Sequence, residues 1–167
     1  MKDEIAHHVV QIAEGLLARK LMLVVAESCT GGGVAHALTS LAGSSAWFER
    51  GFVTYSNRSK EQMLGVGGDL IACNGAVSLK VVEAMALGAL EHSEGQVSLA
   101  ISGIAGPGGG TKDKPVGTVC FSWALKNIRF SSELVVFEGD RNSIREQAVA
   151  FGLLGVLRLF STDSTPR

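Results

Sequence analysis

The sequence predicts an α/β protein: a three-layer α/β/α sandwich built on a mixed, mostly parallel five-stranded sheet. Three observations carry that reading. The runs "LMLVVA" and "QVSLAIS" are continuously apolar or small, as strands covered on both faces are. Segments with helical apolar spacing alternate with strand-like runs early in the chain, which implies a parallel part of the sheet. Late in the chain two strand-like segments are separated only by "LKNI", a link that suits a hairpin and an antiparallel pair.

Taken in order, residues 3–19 predict an amphipathic helix, with Ile5, Val9, Ile12 and Leu16 on one face. Residues 21–26 are the first strand. Helix returns over 31–41, where Val34, Leu38 and Leu41 share a face. "WFERGFVTYS" holds a second strand at 51–55, ended by Tyr55, and Asn57 to Leu64 suits a short helix carrying Lys60. A further helix covers 78–91 with Leu79, Val82, Ala86 and Leu90 inward. "QVSLAISGIAG", "GTVCFSWAL" and "RFSSELVVFEG" supply strands three to five. The closing helix follows "GD", with Asp140 as N-cap. Its apolar stretch "AVAFGLLGVLRLF" suits either core or a subunit interface, so a homo-oligomer is allowed. One domain over 1–160 results, with a loose tail at 161–167.

Composition narrows the function. A chain of 167 residues can bury a core without disulfides or metals. Net charge is −1 and no basic block occurs, so neither nucleic acid nor a membrane surface is indicated as partner. The apolar stretches are too short to span a bilayer, and "MKDEIAHHVV" lacks the order of a signal peptide; the cytoplasm is the expected compartment. Three widely spaced cysteines form no CxxC pair, so no metal site and no disulfide framework is expected. The 21 glycines cluster at 31–33, 65–68 and 103–110, after apolar runs. Strand-end loops of this kind are where α/β proteins bind ligands.

The first cluster sits in "AESCTGGG". No lysine follows its glycines, which rejects a P-loop, and the Rossmann glycine spacing fails as well. What remains is a strand end, a polar turn and a helix start. Ser28 or Thr30 could cap that helix. Alternatively Ser28 is a nucleophile, with backbone N–H groups of Thr30, Gly31 and Gly32 as an oxyanion hole. His7, His8 and His36 fall on predicted helices and His92 near a helix end, none at a strand-end loop, so a Ser–His–Asp triad has no convincing histidine. Lysine is the other partner for serine, and Lys60 with Tyr55 would share the sheet edge with Ser28. Lys60 is otherwise a solvated helix residue. As a base it must lose its proton near neutrality, which costs roughly 4–5 kcal/mol against an ordinary pKa of about 10.4. Burial can supply such a shift. The second loop, "ISGIAGPGGGTKDKPVG", is either a surface hairpin or a binding loop in which Gly103 and Gly106 let backbone approach a ligand. Arg141 and Arg145, one turn apart, are either solvated or a phosphate site.

These motifs together resemble one family. "AESCTGG", "AGSSAWFERGFVTYSN", "NGAVS", "ISGIAGPGGGTKDKPVGTV" and "GDR" are similar to the CinA C-terminal domain, over about residues 5 to 160. Stand-alone members of that family are nicotinamide-mononucleotide amidohydrolases. The resemblance implies an α/β/α sandwich and hydrolysis of the carboxamide of nicotinamide mononucleotide to nicotinate mononucleotide and ammonia, without a cofactor, in pyridine nucleotide recycling. It implies Ser28 as nucleophile, assisted by Lys60 and Tyr55. Arg141 and Arg145 match basic positions of the "GDR" segment and are expected, with Gly103 and Gly106, to hold the substrate. Gly108 stands where many relatives carry an aspartate. The large N-terminal domain of full-length family members has no counterpart, and its activity is expected to be absent. The rival reading is a non-catalytic nucleotide-binding or regulatory module of the same fold.

Overall fold

A computed structural model describes residues 1–161 of the chain. The elements are α1 (Lys2–Arg19), β1 (Leu23–Glu27), α2 (Gly33–Thr39), β2 (Phe48–Val53), α3 (Asn57–Leu64), α4 (Gly68–Asn74), α5 (Leu79–Glu91), β3 (Val97–Gly103), β4 (Thr118–Leu125), β5 (Arg129–Val136) and α6 (Arg141–Ser161). The sheet order is β2-β1-β3-β4-β5. β1 runs parallel to both β2 and β3, while β3–β4 and β4–β5 are antiparallel. The sheet is therefore mixed. None of the described helices is long and apolar enough to cross a membrane.

Pleating sends alternate side chains of each strand to opposite faces, and each face meets its own helical layer. Leu23, Val25, Leu99, Ile101, Phe121 and Trp123 pack with α1, α2 and α6. Val24, Ala26, Ala100, Cys120 and Ala124 pack with α3, α4 and α5. Every residue of β1 is buried, including Glu27, which explains its unbroken apolar run.

Close layers depend on small residues. A Cβ on Gly155 would lie 2.0 Å from the Trp123 ring, whose indole N–H donates to the Gly152 carbonyl at 2.8 Å. Filling that contact would cost about 1–3 kcal/mol or more. The apolar stripe of α6, with Ile144, Leu153 and Val156 buried, is thus core, and the interface reading of that helix falls.

Several boundaries differ from the sequence expectation. The second strand ends at Val53, so Tyr55 lies in the loop after it. Helix α4 occupies "GDLIACN", where no helix was expected; its two glycines at 67 and 68 hide the pattern. Ser161 closes α6 rather than opening a tail, and residues 162–167 lie outside the described residues.

Candidate active site

β1 delivers Glu27 into the core at 1% exposure. Its carboxylate turns back over the next residues. Oε2 accepts the N–H groups of Gly32 at 3.1 Å and Val34 at 3.0 Å, and Oε1 accepts that of Ala35 at 2.9 Å. A buried acid is stable here because it satisfies the orphan donors at the start of α2 and sits at the positive end of that helix. Glu27 is therefore the cap. The expectation that Ser28 or Thr30 fills that role is corrected, and the Ser28 hydroxyl is left for other work. Gly31 and Gly32, at φ 59° and 94°, let the chain turn back sharply enough.

Lys60 meets that hydroxyl. Its Nζ donates to Ser28 Oγ at 3.1 Å and to the Thr54 carbonyl at 2.9 Å. The lysine projects from α3, whose start is fixed by a capping box between Ser56 and Ser59. It is 1% exposed, so the solvated reading is overturned. Burial lowers its pKa, because the ammonium loses water without gaining a carboxylate. Burial pushes the Cys29 thiol up to about 12. Cys29 is thus a protonated packing residue, and its Sγ would lie 3.0 Å from a Cβ on Gly103.

Ser28, Lys60, Tyr55, Arg141, Gly103 and Gly106 line one cavity of about 290 Å³. Tyr55 makes no hydrogen bond to Ser28 or Lys60. It is 61% exposed, and its hydroxyl accepts from Arg141 Nη2 at 3.1 Å. The same guanidinium donates to the Gly106 carbonyl at 2.7 Å, joining the two walls of the cavity. The Thr54 carbonyl, not Tyr55, holds the lysine.

Two expectations about ligand donors are corrected. The N–H of Gly31 donates to the Ser28 carbonyl at 3.0 Å and that of Gly32 to Glu27, so neither is available to an oxyanion. Thr30, Gly31 and Gly32 also do not line the Ser28 cavity. By contrast Ala105, Gly106, Gly108 and Gly109 do line it, and among the described residues their N–H groups have no hydrogen-bond partner. Arg145 is the second correction. It donates to the carbonyls of Cys29 at 3.1 Å and Thr30 at 2.9 Å, and it faces a separate cavity of about 560 Å³ between α1, α2 and α6. It braces the Ser28 turn from behind. Both larger cavities lie away from the Ser28–Lys60 pair, so size does not mark the chemistry here.

Sequence reasoning missed Glu27, Thr54, Asn57 and Ser102. Glu27 stood inside the quoted motif, and its position before a helix start is a signal that a cap reading could have used. Asn57 and Ser102 line the cavity, with Ser102 Oγ tied to the Ala76 carbonyl at 2.8 Å. Thr54 acts through its carbonyl, which residue type cannot reveal.

The family described as the CinA C-terminal domain matches residues 5–160. A curated relative from Escherichia coli K12, "Nicotinamide-nucleotide amidohydrolase PncC", is 51% identical over 143 residues, covering 86% of this chain and 87% of that protein. Its namesake from Pseudomonas putida is 47% identical over 157 residues, covering 94% and 98%. The crystal structure of competence/damage inducible protein CihA from Agrobacterium tumefaciens superposes with a TM-score of 0.91 at 41% identity, over 93% of this chain and 95% of that one.

Proposed function

Since the chain belongs to the CinA C-terminal domain family, we propose that it is a cytoplasmic serine amidohydrolase converting nicotinamide mononucleotide to nicotinate mononucleotide and ammonia in pyridine nucleotide recycling. The observation that carries the reading is the buried Lys60 Nζ within 3.1 Å of Ser28 Oγ. The printed activity of relatives at 51% and 47% identity supports the substrate.

The mechanism follows from the donors and acceptors. Neutral Lys60 keeps one N–H on the Thr54 carbonyl and takes the Ser28 proton on its lone pair. Ser28 Oγ adds to the carboxamide carbon. The unpartnered N–H groups of the 105–109 loop receive the oxyanion. Lys60 then returns the proton to the leaving nitrogen, and ammonia departs from an acyl-enzyme ester. A water enters, gives its proton to Lys60 and adds to the ester. Collapse releases the carboxylate product and restores the Ser28 hydroxyl with the proton from Lys60. Water is consumed once, and no redox partner is needed.

Roles around the pair follow from position. Arg141, in the cavity, binds the phosphate, and Tyr55 orients that guanidinium. Arg145 holds the Cys29 and Thr30 carbonyls and so aims Ser28. The deciding experiment measures ammonia and nicotinate mononucleotide from the wild type and Ser28→Ala. Turnover by the wild type and loss in the variant, with substrate binding kept, is expected. A wild type that binds the nucleotide but releases no ammonia would instead make the domain a binding module.

A further inference from the structure

A cavity of about 560 Å³ lies between α1, α2 and α6, and it shares no lining residue with the Ser28 cavity. Three features give it the character of a site. The first is the guanidinium of Arg145. Its side edge is spent, Nε on the Cys29 carbonyl and Nη2 on the Thr30 carbonyl. The end edge, formed by Nη1 and the second N–H of Nη2, has no partner among the described residues. Two parallel N–H groups of this kind match the two oxygens of a carboxylate. The second is Thr30, which also lines the cavity. It is fully buried, and its Oγ1 has no hydrogen-bond partner among the described residues. Buried hydroxyls without a partner are rare, because their desolvation is then uncompensated. The third is the balance of the walls. Lys2 and Arg145 outweigh Glu146 by one positive charge, with His36 neutral, and no ion pair ties Glu146 to either cation among the described residues. Ile5, Ala37 and Val149 supply an apolar surface from each of the three helices.

We infer that this cavity is an effector site for a small organic monocarboxylate with an apolar body. The carboxylate takes the end edge of Arg145 and brings an acceptor to the Thr30 hydroxyl. It neutralises the one surplus positive charge, which a phosphate dianion would overshoot. The apolar body lies against Ile5, Ala37 and Val149. Occupancy reaches the chemistry through Arg145, because the same guanidinium holds the carbonyls of Cys29 and Thr30, the two residues after Ser28. An anion on its outer edge fixes the guanidinium and stiffens that brace. Binding therefore favours the geometry in which Ser28 meets Lys60. Turnover rises, while the substrate cavity is untouched. That effect on turnover rests on the serine mechanism proposed above; the binding does not.

Cyclohexanecarboxylate serves as the probe, with cyclohexylmethanol as the uncharged control. Titrated into the ¹⁵N-labelled full chain, the anion should saturate with its largest amide shifts at Ile5, Gly33 and Ala37, and the alcohol should not. Ala6→Trp, at an exposed position of α1 that lines the cavity, should abolish those shifts and leave basal ammonia release unchanged. Arg145→Lys keeps the charge without the forked edge and should also lose binding, which decides the matter if the tryptophan variant misfolds. In the wild type the anion should raise kcat at saturating mononucleotide about fivefold or more, within the usual range of coupling between sites, and leave KM unchanged. Shifts confined to residues 103–109, equal shifts from the alcohol, or binding that survives either variant would overturn the site. Binding at the cavity with kcat unchanged would overturn the control of turnover. A wild type that hydrolyses no mononucleotide would sink the hydrolase reading alone, since the amide shifts still decide the site.

Discussion

Glu27 Oε1 accepts the Ala35 N–H at 2.9 Å while its other oxygen holds Gly32 and Val34, so one buried carboxylate shapes the whole turn that presents Ser28. Glu27→Gln keeps the size but sets an amide NH₂ against a backbone donor. Loss of that bond and exposure of a buried N–H should cost about 1–3 kcal/mol. Urea unfolding would read the loss. Turnover should fall as well, because the turn relaxes around Ser28, the proposed nucleophile.

Lys60 sets the pH dependence. Burial lowers its pKa below the ordinary 10.5, and the base must be neutral to act. The rate at limiting substrate should rise with pH as Lys60 deprotonates, and then level off. Lys60→Met should lose about 10²–10⁴-fold in kcat, the range of general acid–base catalysis, and lose the rising limb. A pH series of kcat/KM, with kcat measured alongside, on both proteins tests it.

The same lysine enters stability with a definite sign. Between its lowered native pKa and 10.5 the unfolded chain binds the extra proton, so wild-type stability rises with pH across that window. As pH falls through the window, the unfolded chain gains the proton while the buried lysine stays neutral, so stability falls until Lys60 itself is protonated. Lys60→Met removes the group, and its unfolding free energy should lack that rise. Equal changes of unfolding free energy with pH in the two proteins, each value taken from a denaturant titration, would contradict this.

Arg141 and Arg145 should separate in kinetics. Arg141→Ala, which removes a cavity cation, should raise KM for the mononucleotide by about 10–100-fold, the worth of a charge-assisted hydrogen bond. It should leave turnover of the riboside, which has no phosphate, nearly unchanged. Arg145→Ala should lower kcat for both substrates with little change in KM, since its guanidinium hydrogen-bonds the Cys29 and Thr30 carbonyls and does not line the Ser28 cavity. Equal KM effects from both variants would refute the division.

Cys29 should be chemically silent. With its thiol pushed up to about 12 and 7% exposed, it should resist iodoacetamide at pH 8 in the folded protein, as should buried Cys120, at about 11. Exposed Cys73 should label. Peptide mass mapping distinguishes the three. Gly103→Ala should destabilise by about 1–3 kcal/mol by overpacking, because its Cβ would lie 2.7 Å from Val119 and 3.0 Å from Cys29 Sγ.

The sequence by itself determined the layers, the five strands and the family. Apolar periodicity reports burial directly, and unbroken runs of apolar and small residues such as "LVVA" and "VSLAIS" suit strands covered on both faces, where the Ser98 and Ser102 hydroxyls donate to the Ala86 and Ala76 carbonyls. Motif order was enough to single out Ser28 and Lys60. Only the tertiary structure decided what those residues touch. A lysine in a helix looks solvated until a neighbouring strand end shows that Nζ is buried between a hydroxyl and a carbonyl. Backbone donors carry no side-chain signature, so the N–H groups of Thr30, Gly31 and Gly32 looked as suitable as those of 105–109 until Glu27 and the Ser28 carbonyl were seen to hold Gly31 and Gly32. Arg141 and Arg145 lie one turn apart and read alike. The helix places them over different cavities, because a side chain's role depends on what the fold brings opposite it.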